Sequence, residues 1–312
     1  MAPGGARIAA AIDVGSNSVL LLTVAVAPDG RARAIDEAVA TTRLGTGLRA
    51  GGALDPDAAR RTAACVVDFA ARARARGASA VWAFATGAVR RARDGAAFAR
   101  AVADAAAIPV EILTGAREAA LAHGAAAHGL GLGDAPMLAI DIGGATTELT
   151  LGRGAAIEAS ASLALGALLL TEVLGSDPDG MRARVVEGLA STDVPARAHT
   201  AGAPAVASGG TATSLAALAL GLARYEPRRV HGVVLGVERL AELAASGVRG
   251  AGGALDPDRA ALLPAGACIL TSVLAAMPTD HVRVSDHGVR HAYLREQLGG
   301  AGVVASMEAL WG

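Results

Sequence analysis

One short pattern occurs twice in the chain, and it constrains the fold more than any other feature. Ile12-Asp13-Val14-Gly15-Ser16-Asn17-Ser18 is matched by Ile140-Asp141-Ile142-Gly143-Gly144-Ala145-Thr146, 128 residues further on from Asp13 to Asp141. In each copy an apolar run ends on an Asp, a glycine-containing turn follows, and a second apolar run departs, over residues 19–26 and 148–151. Two such hairpins with matching flanks imply a duplicated half rather than two unrelated turns.

The 312 residues suffice for two cored domains. Strands are expected over 7–13, 19–26 and 31–42. Asp55 and Pro56 then open a helix that Gly77 stops. Further strands read at 80–85, 110–113, 137–141, 148–151 and 281–285. Helices read at 115–129, 166–174, 210–222, 238–245, 264–276 and 287–298. This alternation argues an α/β chain. Domain I is expected over 1–122 and domain II over 123–296, with a last helix at about 297–312 packing back on domain I. No linker rich in Pro, Ser or charge separates them.

Composition removes several classes. The chain has no lysine, so a Walker-type phosphate loop, which needs Gly-Lys-Ser/Thr, is excluded, and arginine is the only fixed cation available to an anion. Aromatics make up 2 %, too few for stacking on bases, and no DNA partner is expected. Residues 1–120 carry 15 Arg against 11 acids and the remainder 13 Arg against 18 acids, an asymmetry that surface scatter accounts for but that also suits a first half tolerating polyanions. Cys65 and Cys268 sit in no C-x-x-C and read as reduced thiols. Arg7 and Asp13 interrupt the first apolar run, and the apolar stretch over 161–174 is too short for a bilayer. A cytoplasmic protein without a membrane partner is expected.

An Asp at a strand end followed by Gly and small hydroxyl residues is a recipe for holding phosphate. Glycine allows close backbone approach, successive N–H groups make an anion-binding concavity, and the Asp can hold Mg2+ or another divalent cation. The second hairpin should bring Glu148 beside Asp141 as a cation site; taken alone, Glu148 reads rather as a polar residue on an exposed strand face. Ser208-Gly209-Gly210-Thr211 is a third Gly-rich turn, suited to an anion at a helix start or to a plain N-cap.

Together these residues resemble the exopolyphosphatase and guanosine-pentaphosphate phosphohydrolase family of the sugar kinase, Hsp70 and actin superfamily, in its short form. Its first phosphate loop resembles Asp13 to Ser18 and its second resembles Asp141 to Glu148. Ala85-Thr86-Gly87-Ala88-Val89-Arg90, Gly115-Ala116-Arg117-Glu118-Ala119, Ser208 to Thr211, Val230-His231-Gly232 and Ser285-Asp286-His287-Gly288-Val289-Arg290 match further signatures in order. The resemblance implies two actin-like, ribonuclease H-like domains with a cleft, in which the Asp13 and Asp141 turns share an anion. It implies Glu118 as the base that deprotonates water; by itself Glu118 reads as a helix-start carboxylate favoured by the dipole. It implies phosphate contacts from Gly15, Ser16, Asn17, Ser18, Arg90, Gly143, Gly144, Ala145, Thr146, Thr147, Ser208, Gly209, Gly210 and Thr211, and metal ligation by Asp13, Asp141 and Glu148. The implied activity is release of terminal orthophosphate from inorganic polyphosphate by Mg-assisted in-line attack of water. The alternatives are hydrolysis of guanosine pentaphosphate (pppGpp) and a non-catalytic sensor of such ligands. A homodimer is the expected assembly.

The chain departs from that pattern at Ala145, where the family prefers Gly, at Leu169, where relatives carry Arg, and at His291, where they carry Glu. With lysine missing too, these departures point to short chains. His287 and His291, four apart, read as surface or packing histidines on one helix. The arginines at 72, 74 and 76 read as a solvated helix end, and Asp177-Pro178-Asp179-Gly180 as a turn.

Overall fold

The computed structural model describes residues 7–48, 51–246, 255, 257–277 and 279–299. The chain forms two compact units. One holds the chain up to Thr114 and resumes at Val289, and the other is Gly115–Gly288.

In the first unit, β1 (Arg7–Val14), β2 (Ser18–Val26) and β3 (Ala32–Thr41) form an antiparallel meander. It is followed by α1 (Pro56–Ala75), β4 (Ala80–Ala85), α2 (Gly87–Arg91), α3 (Gly95–Ala106) and β5 (Val110–Ile112). The sheet order is β3-β2-β1-β4-β5, with β4 parallel to both β1 and β5. Alternation along β1 sends Ala10, Ile12 and Val14 into a core with Val66, Phe69 and Ala70 of α1 and Ala99 and Val102 of α3. As expected from Asp-Pro, Asp55 caps α1, its carboxylate accepting from Ala58 N–H at 2.8 Å. The arginine run at the end of α1 is not simply solvated: Arg72 grips Asp36 on β3 with two bonds of 2.6 Å, and this holds the Asp36 carboxyl below its ordinary range.

The second unit begins with α4 (Gly115–Gly129), so the boundary expected at residue 122 falls inside one continuous helix. Next come β6 (Pro136–Ile142), β7 (Thr147–Arg153), β8 (Ala156–Leu163), α5 (Ala167–Leu174), α6 (Pro178–Leu189), α7 (Val194–Thr200), β9 (Ala205–Ser208) and α8 (Gly209–Ala219). The unit is completed by α9 (Pro227–Val230), β10 (Val234–Gly236), α10 (Val237–Ser246), α11 (Pro257–Ala260), α12 (Leu263–Ala276) and β11 (His281–Val284). The sheet order is β10-β11-β9-β6-β7-β8. Read from β8 inward, a meander leads to a central first strand and then to two parallel strands, the order of the first sheet. The duplication read from two heptapeptides therefore extends to the sheets. Asp177 starts α6 rather than a turn, its carboxylate accepting from Gly180 N–H at 3.0 Å, with Pro178 in the first helical turn. One face of the sheet, Leu138, Ile140, Ile142, Leu149 and Leu151, packs on α5, α6, α8 and α12. The other face takes α4, with Ala126 and Ala127 on Met137, Ala139 and Val206.

The helix expected over 287–298 is α13 (Val289–Gln297), and it belongs to the first unit; the further helix expected at about 297–312 falls largely on residues 300–312, which lie outside the described residues. Tyr293 packs on Phe84 with ring centroids 4.6 Å apart, and Arg290 pairs with Glu37 at 2.8 Å. His287 precedes α13 and belongs to the second unit, whereas His291 lies on α13 in the first. Their spacing of four does not put them on one helix face, and both are buried. Among the described residues no helix is long and apolar enough to cross a membrane.

Candidate active site

Strand register assembles the site of the second unit. Asp141 on β6 pairs with Glu148 on β7, Glu148 pairs with Ser162 on β8, and on the other side Asp141 pairs with Ser208 on β9. Partners at one register level share a face, so these four side chains form a row across four strands, on the face that α4 covers. Glu118, in the first turn of α4, is 7 % exposed and acts electrostatically on both Asp141 and Glu148. It is thus a buried carboxylate beside two others, not a solvated helix-start residue.

Three carboxylates on one covered face repel. Asp141 is only partly buried, yet the protein packed around its carboxyl, with Glu118 second, pushes its pKa up to about 7. Glu148, 2 % exposed, is raised by burial first and then by Glu118 and Asp141. Hydroxyls pull the other way. Ser162 donates to Glu148 at 3.0 Å, and Thr146 also favours the ionised form. Ser208 Oγ is buried without a full hydrogen bond, but lies close enough to Asp141 to oppose its upward shift. The donor set is all oxygen, which suits a hard divalent cation. Among the described residues no three acids stand close enough to enclose one, so an ion here would complete its shell from water and substrate.

A pH dependence follows. Between roughly pH 4 and 7 the folded Asp141 keeps a proton that the unfolded chain has released. Cation-free stability from this group is therefore full at the acid end and is lost as pH rises through about 7. In chelator, the melting temperature is expected to fall between pH 5.5 and 8.5 and to recover on adding Mg2+ at pH 8.5. A flat profile with no response to Mg2+ counts against a cation site here.

The second loop is held from behind. Gly143 N–H donates to Thr146 O at 2.9 Å, and the carbonyls of Gly143 and Gly144 accept from Ala167 and Leu169 of α5, both at 2.9 Å. In a trans peptide the carbonyl and the next N–H point to opposite sides. Tying those carbonyls to α5 therefore turns the Gly144 and Ala145 N–H groups away from it, a concavity suited to an anion. Gly166, which the sequence did not mark, permits this: a Cβ there would stand 2.3 Å from Ala145 N and Gly144 O. Ala145 is 4 % exposed, so its methyl is packed inside the unit. Leu169 sets an apolar side chain at the start of α5, beside this loop. Thr147 is not on the open side. It alternates to the opposite face, fully buried, and spends its hydroxyl on the Leu165 carbonyl.

The Ser208 junction is where β9 becomes α8. Ser208 makes no side-chain cap bond, which removes the plain N-cap reading. Gly209 has φ +83°, and a Cβ on it would lie 2.3 Å from Asp141 Oδ1. Gly209→Ala is accordingly expected to strain the backbone and displace Asp141, lowering activity about 10-fold or more at a stability cost of about 1–3 kcal/mol; unchanged kinetics would remove this contact from the site. Arg259 on α11 was missed by sequence reasoning, because nothing in its spacing marks it. Its guanidinium lies 3.2 Å from where a Gly210 Cβ would be. Thr211 is also buried at this junction.

In the first unit, Asp13 pairs with Leu20 on β2 and Phe84 on β4, and Gly15 N–H donates to Ser18 O at 3.0 Å, as Gly143 does to Thr146. The Ser16 carbonyl accepts from Gly45 at 2.7 Å and the Asn17 carbonyl from Thr42 at 3.0 Å and Arg43 at 2.9 Å, turning the Asn17 and Ser18 N–H groups the other way. Asn17 Nδ2 donates to Ser18 Oγ at 3.2 Å. Arg90 on α2 donates to the Leu113 carbonyl at 3.0 Å, which ties its guanidinium to the end of β5.

Comparison with known proteins shows the family and the fold. Residues 23–300 match the Ppx/GppA phosphatase family. Exopolyphosphatase 2 of Mycobacterium tuberculosis is 34 % identical over 239 residues, covering 71 % of this chain and 74 % of the relative. A guanosine-5'-triphosphate,3'-diphosphate pyrophosphatase of Vibrio vulnificus is 27 % identical over 308 residues, 95 % of this chain and 60 % of the longer relative. The Aquifex aeolicus member of the Ppx/GppA family superposes with a TM-score of 0.76 at 27 % identity, over 94 % of this chain and 98 % of that one. An exopolyphosphatase from Cytophaga hutchinsonii shares the fold, with a TM-score of 0.83 at 21 % identity, over 95 % of this chain and 99 % of that one.

Proposed function

Because this chain belongs to the Ppx/GppA phosphatase family, we propose that it is an exopolyphosphatase, releasing orthophosphate from the end of short inorganic polyphosphate chains in the cytoplasm. The observation that carries the proposal is the meeting of Glu118, Asp141 and Glu148 over one strand row.

In this reading Glu118 holds a water and takes its proton as the water oxygen attacks the terminal phosphorus in line. The bond from that phosphorus to its bridging oxygen breaks, and orthophosphate leaves with a chain one unit shorter. The Gly144 and Ala145 N–H groups orient the terminal phosphoryl oxygens, while the Thr146 hydroxyl favours the ionised form of Glu148. The Asn17 and Ser18 N–H groups, with Gly15 and Ser16 shaping their turn, form the matching anion cradle of the first unit. Arg90 and Arg259 contribute cationic donors, and Gly209 and Gly210 keep the Ser208 to Thr211 junction bare of side chains. Asp141 and Glu148 would hold a divalent cation, which would supply charge neutralisation there. The preference for short chains rests on Leu169, which puts no cation beside the second loop, and on the absence of lysine from the whole chain.

The test is phosphate release by the purified protein with Mg2+ from short polyphosphate, long polyphosphate and pppGpp. Short polyphosphate is expected to be the best substrate. Preference for pppGpp would move the protein to the activity named for the Vibrio relative, and release from none would make it a sensor.

A further inference from the structure

The Val230-His231-Gly232 segment takes no part in the chemistry above, yet it sits at the far end of α4. The segment is laced to β11: Gly232 N–H donates to Val284 O at 2.8 Å and Val284 N–H to Val233 O at 2.7 Å. From that frame the His231 ring reaches in two directions. Nε2 meets the Gly129 carbonyl at 2.8 Å, and the Asp286 backbone N–H donates to Nδ1 at 3.2 Å. A carbonyl only accepts and an N–H only donates, so the ring carries its proton on Nε2 and a lone pair on Nδ1. Gly129 ends α4, and its carbonyl is one that the helix itself leaves unbonded. His287 stacks on His231, centroids 4.6 Å apart, and presses so closely on Gly129 that a Cβ there would lie 2.4 Å from its Nδ1. The Tyr225 hydroxyl in turn bonds the Asp286 carboxylate.

We propose that His231 is a positioning residue for Glu118, fixing how far α4 stands along its own axis relative to the sheet that carries Asp141 and Glu148. This rests on the reading of Glu118 as the residue that activates water. Glu118 and Gly129 are eleven residues apart on one helix, about 16 Å. A helix transmits an axial displacement along its length, so the placement of its last carbonyl sets the placement of its first turn. Along the shaft, Ala126 and Ala127 pack on Met137, Ala139 and Val206. Such small apolar contacts resist separation but, being non-directional, do little against sliding. Midway along α4 the His123 ring meets β7, its Nε2 3.0 Å from where a Gly152 Cβ would be, and at the far end the two bonds through His231, with the His287 ring wedged against Gly129, add the directed contacts. They refer the helix to β11, which lies beside β9, itself beside β6 with Asp141.

The test uses the full chain with short polyphosphate and Mg2+. His231→Leu keeps bulk and loses both bonds; His231→Gln keeps an N–H that can reach the Gly129 carbonyl. His231→Leu is expected to lower kcat about 10-fold or more with KM within about twofold, since displacement of a catalytic group by about 1 Å is that costly. His231→Gln should recover part of the loss. Combined with Glu118→Ala, His231→Leu should cost nothing further, because its effect runs through Glu118. An equal loss in both backgrounds, or a KM effect without a kcat effect, overturns the proposal while leaving Glu118 as the base. Wild-type turnover by Glu118→Ala sinks the reading of Glu118 and this proposal with it. Should either His231 variant fail to fold, nitrogen-15 NMR of the neutral wild-type ring decides: the Nε2–H tautomer is expected, and the Nδ1–H tautomer overturns the proposal.

Discussion

Glu118→Gln is expected to lower kcat for phosphate release about 1,000-fold with the fold intact and KM little changed. The substitution keeps the shape of the side chain and removes its capacity to accept a proton. It also removes one charge from a set whose members raise one another: Glu118 is the second cause of the upward shift at Asp141 and at Glu148. The variant should therefore melt higher than the wild type in chelator at alkaline pH. Lost activity with gained stability separates a catalytic carboxylate from a structural one, because a structural residue would lose both. Turnover equal to wild type would remove Glu118 from the chemistry.

Asp141→Asn should be nearly as damaging, by another route. Asp141 is the centre of the row, paired with Glu148 on one side and Ser208 on the other, and its Oδ1 packs where a Gly209 Cβ would be. Asparagine keeps that packing and halves the charge the pair can offer a divalent cation. Activity is expected to fall at least about 100-fold, the half-saturating Mg2+ concentration to rise, and the fall of cation-free stability between pH 5.5 and 8.5 to shrink. An unchanged Mg2+ requirement would place the cation elsewhere.

Parts of this site could be read directly from the chain and parts could not. The pairing of Asp141 with Glu148 follows from the hairpin, because a short turn dictates register. That Ser208 and Ser162 complete the same row does not follow: parallel pairing of β6 with β9 joins segments 67 residues apart, from Asp141 to Ser208, with no local signature. The resemblance implies a phosphate contact from Thr147, but strand alternation sends its side chain to the opposite face. A helix read from residue 287 carries both His287 and His291, whereas the helix starts at Val289. Gly166 and Gly209 look alike in sequence to glycines that merely turn the chain; only the packing shows which atoms a methyl group would strike.

The sequence by itself determined that the chain is a duplicated α/β protein, where the Asp-ended hairpin of each half lies, and which acids end its strands. Such signals are local: an Asp, a glycine turn and an alternating run specify a hairpin wherever they occur. Tertiary structure alone decided that Glu118 is buried beside Asp141 and Glu148, since that depends on which sheet face α4 covers and on how its far end is held. Electrostatic coupling between carboxylates depends on distance through the fold, and separation along the chain does not encode it.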